Sequence, residues 1–85
     1  MKVYVVTCES CFFDTFNVVG VYSTLDDAKY AIFENLCELR RYDREFDNSM
    51  TDTEFNNTVQ KFLKGYRESL DIYYYYYDIE EHNLN

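Results

Sequence analysis

The chain has 85 residues, a formal net charge of −8, no proline, and aromatic residues at 20% of its positions. This length fits a single domain over residues 1–85, with no room for a second catalytic domain. The negative charge disfavours direct binding to nucleic acid and to anionic membranes, because phosphate recognition needs clustered lysine and arginine side chains.

Two segments rich in β-branched and aromatic residues predict a β-hairpin at the start of the chain. They span residues 3–8 and 16–22, and a polar connection lies between them. Such segments, joined by a short loop, are typical of antiparallel strands.

The N-terminal residues do not have the pattern of a targeting signal. Lys2 is followed by only a few apolar residues, too few for a signal peptide or a spanning helix. The chain has three cysteines, and this odd number fits free thiols in a reducing compartment better than a disulfide framework. We therefore expect a cytoplasmic protein.

A first helix is predicted to begin after Ser23 and Thr24. Either hydroxyl can cap the helix, and aspartates follow in its first turn, where the helix dipole favours negative charge. Apolar residues then recur at helical spacing as far as about residue 40. They are Leu25, Ala28, Ile32, Leu36 and Leu39.

A second helix is predicted after a charged, irregular segment at residues 42–48. Thr51 and Glu54 have the spacing of a capping box. The apolar residues that follow at helical intervals are Phe55, Val59, Phe62, Leu63, Tyr66 and Leu70. We expect Gly65 to weaken this helix without ending it, since an internal glycine costs about 1 kcal/mol.

Five consecutive tyrosines, residues 73–77, predict a long final strand over residues 72–81. Because successive side chains of a strand point to opposite faces, the run presents tyrosine on both sides. One face is expected to hold Tyr73, Tyr75, Tyr77 and Ile79 against the helices, and the other Ile72, Tyr74, Tyr76 and Asp78.

This order of elements predicts an α+β fold. The expected architecture is a three-stranded antiparallel sheet in the chain order β-β-α-α-β, with two helices packed on one face. The last strand arrives after both helices and can pair beside the first strand.

Carboxylates are concentrated in two segments that flank the second predicted helix. They are Asp43, Glu45, Asp47, Asp52 and Glu54 in the first segment, and Asp71, Asp78, Glu80 and Glu81 in the second. If both segments share a face, they can imitate the negative charge of a nucleic-acid backbone and occupy a basic groove. The alternative is an acidic surface that only keeps the protein in solution. Residues 43–54 lack the glycine and the alternating oxygen ligands of an EF-hand loop.

The cysteines and the histidine do not form a convincing catalytic or metal site. Cys8 and Cys11 have the spacing of a redox pair or of half a zinc site, and Cys37 and His82 are the other candidate ligands. The pair lies in the predicted hairpin, and a second closely spaced pair is lacking. His82 lies beside two carboxylates without a nucleophile. We therefore expect ordinary thiols, no metal, no cofactor and no enzymatic activity.

Three segments of the chain resemble a loose group of small uncharacterised proteins found in bacterial and bacteriophage genomes. They are residues 2–7 (KVYVVT), 20–29 (GVYSTLDDAK) and 77–82 (YDIEEH). The resemblance covers both ends and the first helix but not residues 42–70. It implies a fold and a genomic setting, and no activity. More loosely, the chain is similar to small acidic phage proteins that inhibit host or defence enzymes by binding them.

We therefore expect a noncatalytic protein-binding module, encoded by a phage or mobile element, that docks on a basic host protein such as a nucleic-acid-binding enzyme. The carboxylates of both acidic segments, except Asp71, would provide charge complementarity, with Tyr74 and Tyr76 as contact anchors. The alternative is a structural or regulatory homo-oligomer, such as a homodimer, in which the C-terminal tyrosine strand pairs with its symmetry mate.

Overall fold

The N-terminal hairpin forms as the sequence predicts. In a computed structural model, which describes residues 1–10, 15–65 and 68–84, β1 (Lys2–Ser10) and β2 (Thr15–Tyr22) are antiparallel. The register shifts between Val6 and Thr7, which marks a β-bulge in this pair.

Helix α1 (Leu25–Tyr42) also confirms the prediction. The Thr24 hydroxyl caps the helix and accepts a hydrogen bond from the amide of Asp27 at 3.1 Å. Ala28, Ile32 and Leu36 are fully buried, so the apolar stripe read from the sequence is the face that packs in the core.

The segment expected to be irregular contains a short helix, α2 (Arg44–Ser49), so this part of the prediction was wrong. Asp43 ends α1 and caps α2, because its carboxylate accepts hydrogen bonds from the amides of Glu45 at 3.1 Å and Phe46 at 3.2 Å. The fully buried Phe46 ring anchors this helix to the core. A helix of one or two turns is stabilised by such packing and capping more than by propensity.

Helix α3 (Asp52–Lys64) begins with the predicted capping box. The amide of Glu54 donates to the Thr51 hydroxyl at 3.1 Å, and the Glu54 carboxylate accepts from the Thr51 amide at 3.4 Å. Phe55, Val59 and Phe62 are buried on one face of the helix, as their spacing predicts.

The expected continuation of this helix through Leu70 was wrong, because α3 ends at Gly65. The buried ammonium of Lys29 in α1 donates to the carbonyls of Phe62 at 3.3 Å and Gly65 at 2.5 Å. These carbonyls lie at the helix terminus, where few backbone donors are available, and the Phe62 carbonyl also accepts from the amide of Gly65 at 3.3 Å. Leu70 instead belongs to a strand.

The C-terminal segment is a hairpin, whereas the sequence analysis predicted one long strand. β3 (Ser69–Ile72) and β4 (Tyr75–Asn83) are joined by a two-residue turn at Tyr73 and Tyr74. Tyr73 has a φ of 56°, a left-handed conformation that usually calls for glycine or asparagine. The sheet therefore has four antiparallel strands, not the three predicted.

The sheet order is β2-β1-β4-β3. The predicted pairing of the last strand with the first is confirmed, because β4 runs antiparallel to β1 along its whole length. β4 is thus an interior strand, with β1 on one side and β3 on the other, and β2 is an edge strand.

One face of the sheet is covered by the helices. Its buried strand residues are Val6, Cys8, Ser10, Leu70, Ile72, Tyr75, Tyr77 and Ile79. The prediction that Ile72 points away from the helices was wrong, because the turn resets the alternation and places Ile72 opposite Tyr75. None of the described helices covers the other face of the sheet, which we call the open face.

Candidate functional site

Two tyrosines on the helix-covered face of β4 hold this strand against the helices. Tyr75 and Tyr77 are buried there, as the alternation predicts. The Tyr77 hydroxyl donates to the amide oxygen of Asn35 in α1, and the Tyr75 hydroxyl donates to the Asp43 carboxylate at 2.8 Å. These bonds set the strand's position under the helices, and burial raises the pKa of both hydroxyls above the usual range.

The turn between β3 and β4 is an aromatic cluster. The Tyr73 ring stacks on Phe46, with centroids 5.2 Å apart and planes 4° from parallel. It also meets the Tyr74 ring edge to face at 4.5 Å. The Tyr73 hydroxyl reaches the Glu45 carboxylate at 3.4 Å. Tyr73 and Tyr74 are therefore turn residues, not members of opposite strand faces.

The open face of the sheet displays Tyr76 between two carboxylates. In the strand register Tyr76 lies opposite Glu9 of β1 and opposite Asp71 of β3. Directly paired residues share a face and place their Cβ atoms about 4.5–5.5 Å apart. All three side chains are exposed, so the row Glu9–Tyr76–Asp71 is a solvent-facing group.

The same face continues along β4 through Asp78 and Glu80. These residues lie opposite Thr7 and Val5 of β1. Residues two apart on a strand are about 6.8 Å apart, so the carboxylates form a spaced negative line. In the described part of the chain, Glu9, Asp71 and Asp78 form no ion pair, and Glu80 lies 3.4 Å from His82.

Positive charge is segregated from this face. Every described lysine and arginine other than Lys2 belongs to a helix. Lys2 lies on the helix-side face of β1 and forms an ion pair with Glu81 at 2.9 Å. Glu81 consequently projects away from Asp78 and Glu80, so the predicted C-terminal acidic group is divided between the two faces of the sheet.

The acidic residues predicted in residues 43–54 lie in the helix layer. Arg40 lies between Asp47 and Asp52, with nitrogen–oxygen distances of 3.4 Å and 3.0 Å. Asp43 caps α2 and accepts from a tyrosine, and Glu54 is part of the capping box. Each of these carboxylates thus has a partner within the chain, and they do not share the open face of the sheet.

The other half of the open face is apolar. Phe16, Val18 and Val21 of β2 are 61%, 60% and 59% exposed. Their partners across the strand pair are Glu9, Thr7 and Val5 of β1. The charge of the open face therefore changes across the sheet, from an uncharged edge at β2 to an acidic edge at β3.

Glu9 and the three β2 residues were not predicted as surface candidates, and Asp71 was predicted only as part of an acidic segment, not as a partner contact. Glu9 follows Val5 and Thr7 at a spacing of two residues along β1, so strand period alone could have placed it with them on the face opposite Val6 and Cys8. The face on which Asp71 lies could not be predicted in the same way, because its segment continues the helical spacing of α3.

Of the candidate metal or redox residues, Cys8 is buried on the helix side of β1 and Cys37 is half-buried in α1. Burial raises the pKa of both thiols, which disfavours the reactive thiolate. Cys11 lies outside the described residues. His82 is exposed on β4 beside Glu80.

None of the helices in the described ranges has the length and hydropathy needed to cross a bilayer. Comparison of the chain with protein-family models, with curated proteins and with solved structures found no match.

Proposed function

We propose that this chain is a noncatalytic protein-binding module that docks the open face of its sheet on a basic partner protein. The observation that carries this proposal is the group Glu9, Asp71, Tyr76, Asp78 and Glu80, which shares that face with no lysine or arginine of the described strands. Tyrosine provides a large contact area with a polar tip, and the carboxylates give charge complementarity.

The proposed partner is a nucleic-acid-binding protein of a host cell or of its defence machinery. A spaced line of carboxylates on an open sheet face suits a basic groove that otherwise holds phosphates. In this proposal the chain is encoded by a phage or mobile element, acts in the cytoplasm and inhibits or modulates its target by occupying that groove.

The helix-layer carboxylates Asp43, Glu45, Asp47, Asp52 and Glu54 remain a prediction as partner contacts. Their charges add to the negative field that steers a basic partner, although their contacts within the chain already hold them. Asp78 and Glu80 are therefore the better first targets for mutation.

Neutralising the open face is expected to weaken partner binding about tenfold and to flatten its salt dependence. The variant is Asp78→Asn/Glu80→Gln, and the matched control is Glu34→Gln/Glu38→Gln on the exposed side of α1. The partner is first captured from bacterial lysate, released by stepped salt and identified by mass spectrometry, and affinities are then measured by calorimetry at several salt concentrations.

Equal losses in both variants would show that only net charge matters, and no loss in either would show that the open face is not the interface. Both results would contradict the proposal. Displacement of the captured partner by DNA or RNA is the expected sign that the contact occupies a nucleic-acid groove.

A second candidate function is self-association, and the exposed edge of β2 favours it. β2 contains no charged residue and no proline, which are the features that commonly protect edge strands from pairing. β4, the strand expected from sequence to pair between copies, lies inside the sheet. Antiparallel pairing of two β2 strands would join the sheets and keep their acidic halves apart.

Light scattering over a concentration series is expected to show a mass rising from 10.3 kDa towards twice that value. Val18→Lys should keep the protein monomeric by placing a charge on the edge strand. Asn57→Lys adds the same charge to the exposed side of α3 and should leave association unchanged. A constant monomer mass for the unmodified protein would contradict self-association.

A further inference from the structure

A cleft opens beside the tyrosine turn, apart from the open face of the sheet. It has a volume of about 550 Å³ and lies where the end of α1 and the start of α2 meet the turn. Its lining includes Tyr42, Asp43, Arg44, Glu45, Tyr73 and Tyr74. Its combination of tyrosine rings and carboxylates sets it apart from four other clefts of the described chain.

The aromatic walls combine one fixed ring with two accessible ones. Tyr73 is held by stacking on the fully buried Phe46. Tyr42, the last residue of α1, is 76% exposed, and Tyr74 is 47% exposed. Accessible faces of tyrosine attract cations through the negative potential of the ring.

The backbone at this cleft is strained at one residue. Tyr73 is the non-glycine residue with positive φ in the described chain, at 56°. Glycine or asparagine at this position would make the same turn at lower cost, since a left-handed residue with a Cβ costs about 1–2 kcal/mol. Strained positions occur often at binding sites, so a tyrosine here is consistent with a ring needed at the cleft.

The charged groups of the cleft favour a cationic occupant. Asp43 is fixed by hydrogen bonds from the Tyr75 hydroxyl and from two amides of α2. Glu45 accepts from Tyr73 and is exposed. Arg44 is the cationic lining residue, and it is exposed to water, which screens its charge. The attraction of two carboxylates and several ring faces for a cation therefore exceeds the repulsion from one guanidinium.

We propose that this cleft receives a single arginine side chain of the basic partner, an inference that rests on the proposed function. A planar guanidinium stacks on aromatic faces and donates to carboxylates at the same time, which a lysine ammonium does less well. The cleft would then supply a specific anchor, while the open face supplies the extended acidic contact.

The test uses the full chain and a tripeptide, acetyl-Gly-Arg-Gly-amide, with the citrulline tripeptide as its neutral match. Titration with the arginine tripeptide, followed by nuclear magnetic resonance, is expected to show saturable changes in the chemical shifts of Tyr42, Tyr73 and Tyr74. The citrulline tripeptide should bind about fivefold more weakly, because it keeps the planar shape but loses the cation. Equal affinity for the two tripeptides would overturn the proposal.

Two variants locate the binding. Tyr74→Leu should weaken binding of the arginine tripeptide about fivefold, and Tyr30→Leu, which removes an exposed tyrosine elsewhere on α1, should leave it unchanged. An unchanged affinity in Tyr74→Leu, or shifts confined to the open face, would overturn the cleft as the site.

Failure of this inference can be distinguished from failure of the proposed function. Asp78→Asn/Glu80→Gln should leave tripeptide affinity unchanged, because these residues lie outside the cleft. If the tripeptide does not bind while the open-face variant still loses its partner, the arginine cleft is wrong and the proposed function stands.

Discussion

Replacing Phe46 by alanine is expected to lower the free energy of unfolding by about 3–5 kcal/mol, the usual cost of truncating a buried aromatic residue. Phe46 is fully buried and contacts the rings of Phe55, Tyr73 and Tyr75. It thus joins α2 to α3 and to the tyrosine turn. The cavity left by the ring would remove contacts from all three elements at once.

Urea unfolding followed by far-ultraviolet circular dichroism measures this effect. Phe16→Ala is the matched control, because Phe16 is 61% exposed on β2 and its loss should change stability by no more than about 0.5 kcal/mol. Phe46→Leu, which retains much of the volume, should fall between the two and gives a value if Phe46→Ala does not fold. Similar stabilities for Phe46→Ala and Phe16→Ala would show that α2 is not anchored by this ring.

The sequence predicted the elements that carry local signals. The apolar spacing of α1, its Thr24 cap and the Thr51–Glu54 capping box appear in the structure as expected. Capping and helical periodicity are encoded within a few neighbouring residues, so no knowledge of the tertiary structure is needed to read them.

The C-terminal hairpin was missed because its turn lacks the usual turn residues. A two-residue hairpin turn normally contains glycine, asparagine or aspartate, which make it recognisable in the sequence. Here the turn is made by Tyr73 and Tyr74, within a run of residues that favour strands. Leu70 also continued the helical spacing of α3. Only the pairing of β3 with β4 decides that this segment is a strand, and that pairing is a tertiary contact.

The candidate site was predicted in part for the same reason. Alternation along one strand placed Tyr76 and Asp78 on the open face, which the structure shows. The neighbours of Tyr76 in other strands, Glu9 and Asp71, depend on strand order and register. The intramolecular role of Asp43 depends likewise on a tyrosine distant in sequence. Charge counted along the sequence cannot separate a carboxylate that holds the fold from one that faces a partner.

The buried tyrosines are expected to make the protein unfold in alkali, losing about 5 kcal/mol of stability between about pH 9 and pH 12. Burial raises the pKa of Tyr75 and Tyr77 in the folded state well above the usual value near 10, and the hydrogen bond to Asp43 adds to the rise at Tyr75. Above about pH 10 the unfolded chain therefore releases protons that the folded chain keeps. Each tyrosine then costs about 1.4 kcal/mol per pH unit, and this stability is fully present below the unfolded pKa.

Urea midpoints measured from neutral to alkaline pH test this linkage, with tyrosinate absorbance recording ionisation. Tyr77→Phe should lower stability by about 1 kcal/mol at neutral pH, because the bond to Asn35 is lost. Above about pH 10 it should also make the slope of stability against pH shallower by about 1.4 kcal/mol per pH unit, since one linked proton is removed. Tyr30→Phe, at a residue 56% exposed, should leave the slope unchanged. A slope unaffected by Tyr77→Phe would mean that the Tyr77 hydroxyl ionises equally in both states, which contradicts its burial between Cys8 and Asn35.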